Sequence, residues 1–130
     1  MWNKVGMGRN AQGLAEAVKE IDALRAEFHR DVYVPGGANE MNTELEKALR
    51  VADFMELGQL MAMDALQRNE SCGGHFREEY QDEEGETLRD DENFKFVGAW
   101  EYNGPDINQE ILNKEDLNYE FIKIAARNYK

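Results

Sequence analysis

The chain has 130 residues, a single cysteine and a formal charge of −12, from 15 Lys and Arg against 27 Asp and Glu. That length suits one domain, no apolar run approaches the roughly 18 to 20 residues that span a bilayer, and the amino terminus lacks the apolar block of a secretory signal. A lone Cys72 excludes an internal disulfide framework and the acidic balance argues against a nucleic-acid binder, so a soluble, cytoplasmic, single-domain protein is expected over 1–130.

From Asn10 to about Arg30 the spacing predicts an amphipathic helix, because Leu14, Val18, Ile21, Leu24 and Phe28 recur at three- and four-residue steps. Asn10 can cap its start, and Arg25, His29 and Arg30 bring positive charge toward its negative end. Glu16 with Lys19 and Asp22 with Arg25 are expected as pairs on the outer face. Val32 to Gly37, with its proline and two glycines, stops the helix.

A longer helix is predicted from about Thr43 to Arg68, with Thr43 and Glu46 spaced as a capping box. Leu45, Ala48, Leu49, Ala52, Met55, Leu57, Leu60, Met61 and Ala65 form a broad apolar stripe, and Met55, Met61 and Met63 read as core filling. Gly58 costs about 1 kcal/mol against alanine in mid-helix, which implies a neighbouring backbone passing close by. The two helices should pack antiparallel as a hairpin over 1–69.

The segment 70–93 is acidic and irregular. Between Glu70 and Glu92 stand ten carboxylates against Arg77 and Arg89, so this window carries −8 of the −12 and should be largely solvated. A β extension over 94–130 follows. Phe94, Phe96, Gly98, Trp100 and Tyr102 alternate with Lys95, Val97, Ala99 and Glu101 as a strand does. Asn103-Gly104-Pro105-Asp106 ends that strand with turn chemistry. Tyr119 to Ile124 is a second candidate expected to pair antiparallel with the first, with Ile111-Leu112 as an edge.

Few constellations carry chemistry. Gly6-Met7-Gly8-Arg9-Asn10-Ala11 matches a dinucleotide-binding turn, but it lacks the preceding strand and the parallel βαβ unit that such a turn requires. A helical turn, a glycine break and a new N-cap account for it better. Cys72 and His75 stand at C-x-x-H spacing, yet a zinc site needs further ligands, and only His29 and carboxylates such as Glu70, Glu78 or Glu79 remain. Counted from Asp82, the sixth and twelfth positions of a calcium loop fall on Thr87 and Asn93, where glycine and glutamate are wanted. No catalytic, cofactor-binding or metal-ligating residue is therefore assigned. Arg77, Arg89, Asp90 and Asp91 are expected to form bidentate ion pairs that pin the loop.

Glu70-Ser71-Cys72-Gly73-Gly74-His75-Phe76-Arg77, followed by Arg89-Asp90-Asp91-Glu92-Asn93-Phe94, resembles the C-terminal domain of the succinate dehydrogenase and fumarate reductase flavoprotein subunit. That family carries Glu-Ser-x-Gly-x-His-x-Arg after a long helix and then Arg-Asp-Asp-x-x-aromatic. Trp2-x-x-Val5-Gly6-x-x-Arg9, Arg50-Val51-Ala52-Asp53-Phe54-x-Glu56-Leu57 and the ending Arg127-Asn128-Tyr129-Lys130 extend the likeness over nearly the whole chain, with Cys72 and Gly74 replacing the common arginine and alanine.

The resemblance implies a mainly α, α+β fold: an antiparallel, spectrin-repeat-like helix bundle with a small C-terminal antiparallel β extension. Met1 to Val5 would be the last turn of a truncated first helix. It also implies a parent subunit that interconverts succinate and fumarate through FAD, with this domain inactive alone. Glu70, Ser71, Gly73, His75, Arg77, Arg89, Asp90 and Asp91 would then be a structural and docking motif. The implied partners are the flavin-binding domain of the same subunit, the iron-sulfur subunit, plus the membrane cytochrome subunit, in a bacterial cytoplasm and membrane-associated only through them. An isolated fragment is expected to self-associate. Two alternatives are a free-standing acidic protein-interaction module and a small metal-dependent enzyme using Cys72 and His75.

Overall fold

The computed structural model of the chain describes residues 1–125, so the ending Arg127 to Lys130 lies outside the described residues. The chain divides into two units, Met1–Asp90 and Asp91–Lys130.

The first unit opens with a single helical turn, in which the Val5 N–H donates to the Met1 carbonyl at 2.8 Å. Strand β1, Gly8–Arg9, leads into helix α1, Ala11–Asp31. Asn10 caps α1 as its sequence suggests, its Oδ1 accepting the Gly13 N–H at 2.8 Å. Helix α2 spans Thr43–Gln67, but its cap is Asn42, not Thr43. Asn42 Oδ1 accepts the N–H groups of Glu44 and Leu45, and its Nδ2 donates to the Pro35 carbonyl, so one side chain closes both helix and loop. Glu46, freed from the expected capping box, pairs with Arg50 one turn on.

The helices run antiparallel. Leu14 clusters with Ala62 and Ala65, Val18 meets Gln59, and Arg25 meets Glu56, so partners descend along α2 as they ascend along α1. Val5, Leu14, Ala17, Ala62 and Ala65 form the core, with Val18 and Leu66 packed against it. Three alanines at this contact let the helices approach closely. Gly58 is also buried, but the group beside it is the Met1 side chain and not a backbone: an added Cβ would lie 3.1 Å from Met1 Sδ.

Much of the expected α2 stripe is not core. Leu45, Leu49, Leu57 and Met61 of that stripe are exposed, as is neighbouring Phe54, while Ala48, Ala52, Met55 and Leu60 are half-buried and the fully buried positions of α2 are Gly58, Gln59, Ala62 and Ala65. The outer-face pairs also yield to partners from elsewhere in the fold. Lys4 reaches Glu16 at 3.1 Å, while Arg25 turns to Gln59 at 2.8 Å and Glu56 at 3.5 Å. Gln59, fully buried, donates in turn to the Val18 carbonyl at 3.2 Å and so ties the helices together.

In the second unit β3, Phe96–Glu101, pairs antiparallel with β4, Ile111–Asp116, in the register Phe96↔Asp116 to Glu101↔Ile111. The partner is therefore the Ile111 segment, and Tyr119 to Ile124 forms no strand. Phe121 and Ile122 are both exposed, so the alternation there has no face to bury. Gly98 makes room for Leu112, since a Cβ would lie 3.0 Å from Leu112 Cδ1. Between the strands, Asp106 caps the short helical turn Ile107–Gln109, and Ile107 is buried.

Candidate docking site at the end of the second helix

The last carbonyls of any helix need donors from outside it, and α2 has no basic residue in its last turn to supply them. They come from the segment that follows. Glu70 to Arg77 folds back as a tight hairpin, with reciprocal backbone bonds of 2.8 and 3.0 Å between Cys72 and His75. Gly73, at φ +58°, takes the first central position of the turn, a conformation suited to glycine. The returning arm forms β2, Phe76–Arg77, which pairs parallel with β1 in the register Gly8↔Phe76 and Arg9↔Arg77.

Arg77 is the largest fully buried side chain, at 2% exposure. Its Nη1 donates to the carbonyls of Ala65, Leu66 and Arg68 at 3.1, 3.3 and 3.4 Å, closing the negative end of α2. Its Nε donates to Glu79 Oε2 at 3.1 Å, and its guanidinium lies over the Tyr80 ring. The expected bidentate pairing with Asp90 or Asp91 does not occur at Arg77; backbone carbonyls take its place. Ser71, with no exposed surface, holds the arginine's backbone: Oγ accepts the Arg77 N–H at 2.8 Å and donates to the Arg77 carbonyl at 3.1 Å.

His75 bridges two further segments. Arg9 Nη1 lies 3.0 Å from Nδ1, and the Arg68 carbonyl lies 2.9 Å from Nε2. A guanidinium only donates, so Nδ1 must accept and Nε2 must carry the proton. Burial first, and then the positive charges of Arg9, Arg77 and Arg68, push His75 below the ordinary imidazole value of 6.5, against the raising effect of the Arg68 carbonyl. Both ring nitrogens are engaged, which leaves neither for a metal or for the Cys72 thiol. Among the described residues no three His, Cys, Asp or Glu side chains gather in a metal-binding group.

Glu70, 3% exposed, accepts from Arg68 Nη1 at 2.8 Å and from the Asp90 N–H at 3.1 Å, while the Ser71 N–H donates to the Leu88 carbonyl at 2.9 Å. Glu70, Ser71, His75, Arg77 and the Asp90 backbone thus meet in one network, and Arg89 is half-buried in the same unit. Asp91 is exposed at the start of the second unit. The acidic window beyond the hairpin is a turn organised by Asp82, whose Oδ1 accepts the N–H groups of Glu84 and Glu86 at 2.9 and 2.8 Å.

Sequence reading missed Arg9 and Glu79 as members of this network. Glu79 Oε1 accepts the Ala11 N–H at the start of α1, and Asn10 Nδ2 donates to Glu78 Oε2 at 2.9 Å. These contacts also settle the glycine motif at Gly6. A dinucleotide would need the N-terminus of α1 for its phosphates, and that end already holds the Glu79 carboxylate. The N-terminus of α1 therefore does not fit the pyrophosphate of FAD.

The profile of the family described as fumarate reductase flavoprotein C-term matches residues 1–129, across both units. A fumarate reductase flavoprotein subunit of Helicobacter pylori is 33% identical over 118 residues, covering 87% of this chain and 16% of that protein. A subunit of the CoM/CoB fumarate reductase of Methanothermobacter marburgensis is 31% identical over 90 residues, covering 68% of this chain and 16% of its own length. Among solved structures, a variant of the FrdA chain of E. coli quinol fumarate reductase superposes with a TM-score of 0.78 at 25% identity, over 97% of this chain and 20% of that one. The chain spans about a sixth of the length of the Helicobacter and Methanothermobacter relatives. No helix among the described residues is long and apolar enough to cross a membrane. With the profile matched across 1–129 and the Glu-Ser-x-Gly-x-His-x-Arg segment folded as the cap of α2, the chain belongs to the C-terminal domain family of succinate dehydrogenase and fumarate reductase flavoproteins.

Proposed function

We propose that this chain is a structural and docking domain, without catalytic residues of its own, in a subunit that interconverts succinate and fumarate through FAD. The flavin is held by the rest of that subunit, and both units of the chain act together as one domain. The observation that carries this reading is the outer face of α2, where Leu49, Phe54, Leu57 and Met61 are exposed opposite the face that packs on α1. A helix apolar on both faces is built to be covered on both. The occupant is the remainder of the subunit, which in the relatives is several times longer than this chain. A third helix supplied from there completes a spectrin-like bundle.

In this reading Glu70, Ser71, Gly73, His75, Arg77, Arg89, Asp90 and Asp91 hold the end of the bundle in the shape that docks and perform no chemistry. The iron-sulfur and membrane cytochrome subunits join through the parent subunit, on the cytoplasmic side, and provide its only membrane contact.

The test is to coexpress this chain with a separate polypeptide comprising the flavin-binding portion of the subunit. A stoichiometric complex is expected that survives roughly 1 M salt, where the Debye length is about 3 Å. The paired changes Phe54→Asp and Leu57→Lys should abolish it. Failure to form a complex would overturn the reading. A complex that salt dissolves, and that ignores the α2 changes, would instead favour an acidic interaction module.

A further inference from the structure

The ring of His75 joins three segments that are far apart in the chain: the hairpin that carries it, Arg9 of β1, and the Arg68 carbonyl at the end of α2. Only the neutral ring protonated on Nε2 satisfies both contacts. A proton added at Nδ1 turns the acceptor of Arg9 into a second donor and sets an imidazolium against a guanidinium. We propose that His75 is an acid-operated clasp, whose protonation at Nδ1 expels Arg9 and releases the amino-terminal strand from the hairpin.

The charged groups facing the ring are Arg9 from β1, Arg77 from β2 and Arg68 beyond α2, all of one sign. Asp64 of α2 acts on Arg9 in the opposite sense. What the clasp secures is slight: β1 and β2 are two residues each, joined by a short parallel ladder that ends with the Glu78 N–H donating to the Arg9 carbonyl at 2.8 Å, while the Asn10–Glu78 and Ala11–Glu79 bonds hold the start of α1 independently of His75. The helix pair has a separate hold in Gln59 and the alanine contacts, so release is confined to the strand. With its folded-state pKa depressed, His75 stabilises the clasp fully above the open-state value near 6.5, and the contribution is lost as the pH falls through the folded value.

The experiment follows imidazole nitrogen shifts and amide exchange of the full chain by NMR as the pH is lowered. Above the transition His75 should show the Nε2–H tautomer, and the Glu78 amide should be protected. Below about pH 6.5 Glu78 protection should fall, by at most tenfold per pH unit as one proton allows, while the Leu14 amide keeps its protection. His75→Gln can accept from Arg9 and donate to Arg68 without titrating, so it should keep Glu78 protected throughout. His75→Ala should lose that protection at every pH. If His75→Ala fails to fold, Arg9→Gln serves in its place: the His75 titration should move up and the acid step at Glu78 should vanish. Glu78 protection that stays constant through the His75 titration, or the same acid step in His75→Gln, would overturn the proposal.

Discussion

Arg77 and Glu79 are bonded to each other at 3.1 Å while each serves a different helix. Arg77 closes the carbonyls at the end of α2, and Glu79 takes the Ala11 N–H at the start of α1. Because the helices are antiparallel, the negative end of one dipole and the positive end of the other meet at this place. Each receives the charge that suits it. Replacing Arg77 with methionine keeps the buried stem but takes this donor from the carbonyls, at an expected cost of about 3 kcal/mol. The urea midpoint of the helical circular dichroism reads that loss. Arg77→Lys, which has the charge without the planar fork, should recover only part of it.

Glu79 should make stability depend on acid. Partial burial raises its pKa, but bonds from the Ala11 N–H, its own N–H and Arg77 outweigh burial and hold it below 4.5. A carboxylate depressed in the folded state contributes fully above its unfolded value and loses that contribution as the pH falls through the folded one. Near pH 7 the wild type should exceed Glu79→Gln by about 0.5 kcal/mol, a small figure because the carboxylate is partly solvated and screened. Denaturation of both proteins at stepped pH should show the gap closing as Glu79 titrates, and narrowing in salt.

The two glycines of the hairpin should respond differently to alanine. A Cβ at either would meet nothing within 4 Å, so space is not what either requires. Gly73 alone has positive φ. Gly73→Ala should therefore cost about 1 to 2 kcal/mol, and Gly74→Ala should change stability little. Paired thermal melts suffice, and equal losses would mean that the turn is not held as described.

Alone in solution, the exposed apolar residues of α2 should find each other. Sedimentation velocity over a range of concentrations is expected to show self-association, and Phe54→Asp with Leu57→Lys should leave a monomer. A wild type that stays monomeric at high concentration would count against an exposed docking face.

The helices were legible because Leu14, Val18 and Ile21 mark a face by their period. The ends were less so. Asn42 and Thr43 are both good caps, and the choice fell to the one whose amide could also reach Pro35. Strand pairing was half legible: β3 announced itself, but Ile111–Asp116 is a mostly polar stretch that the nine-residue connection 102–110 brings into register. The network around Arg77 was the least legible, because its partners are main-chain carbonyls, which every residue has. The resemblance marked Glu70, Ser71, His75 and Arg77 as a structural motif, without showing that the main chain at the end of α2 is what Arg77 and His75 hold.

The core residues Leu14, Ala17, Ala62 and Ala65 all lie in the half of the helix pair nearest the hairpin, whereas Leu45 and Leu49 at the other end are exposed. Mechanically the pair is a fork, clamped at its base by Arg77 and Glu79, with tines that past the Arg25–Glu56 pair carry half-buried Ala48, Ala52 and Met55 in place of a closed core. Spreading the tines parts half-buried side chains only and leaves the fully buried base and its clamp untouched. The free end can therefore yield to whatever element docks along α2 while the base keeps its geometry.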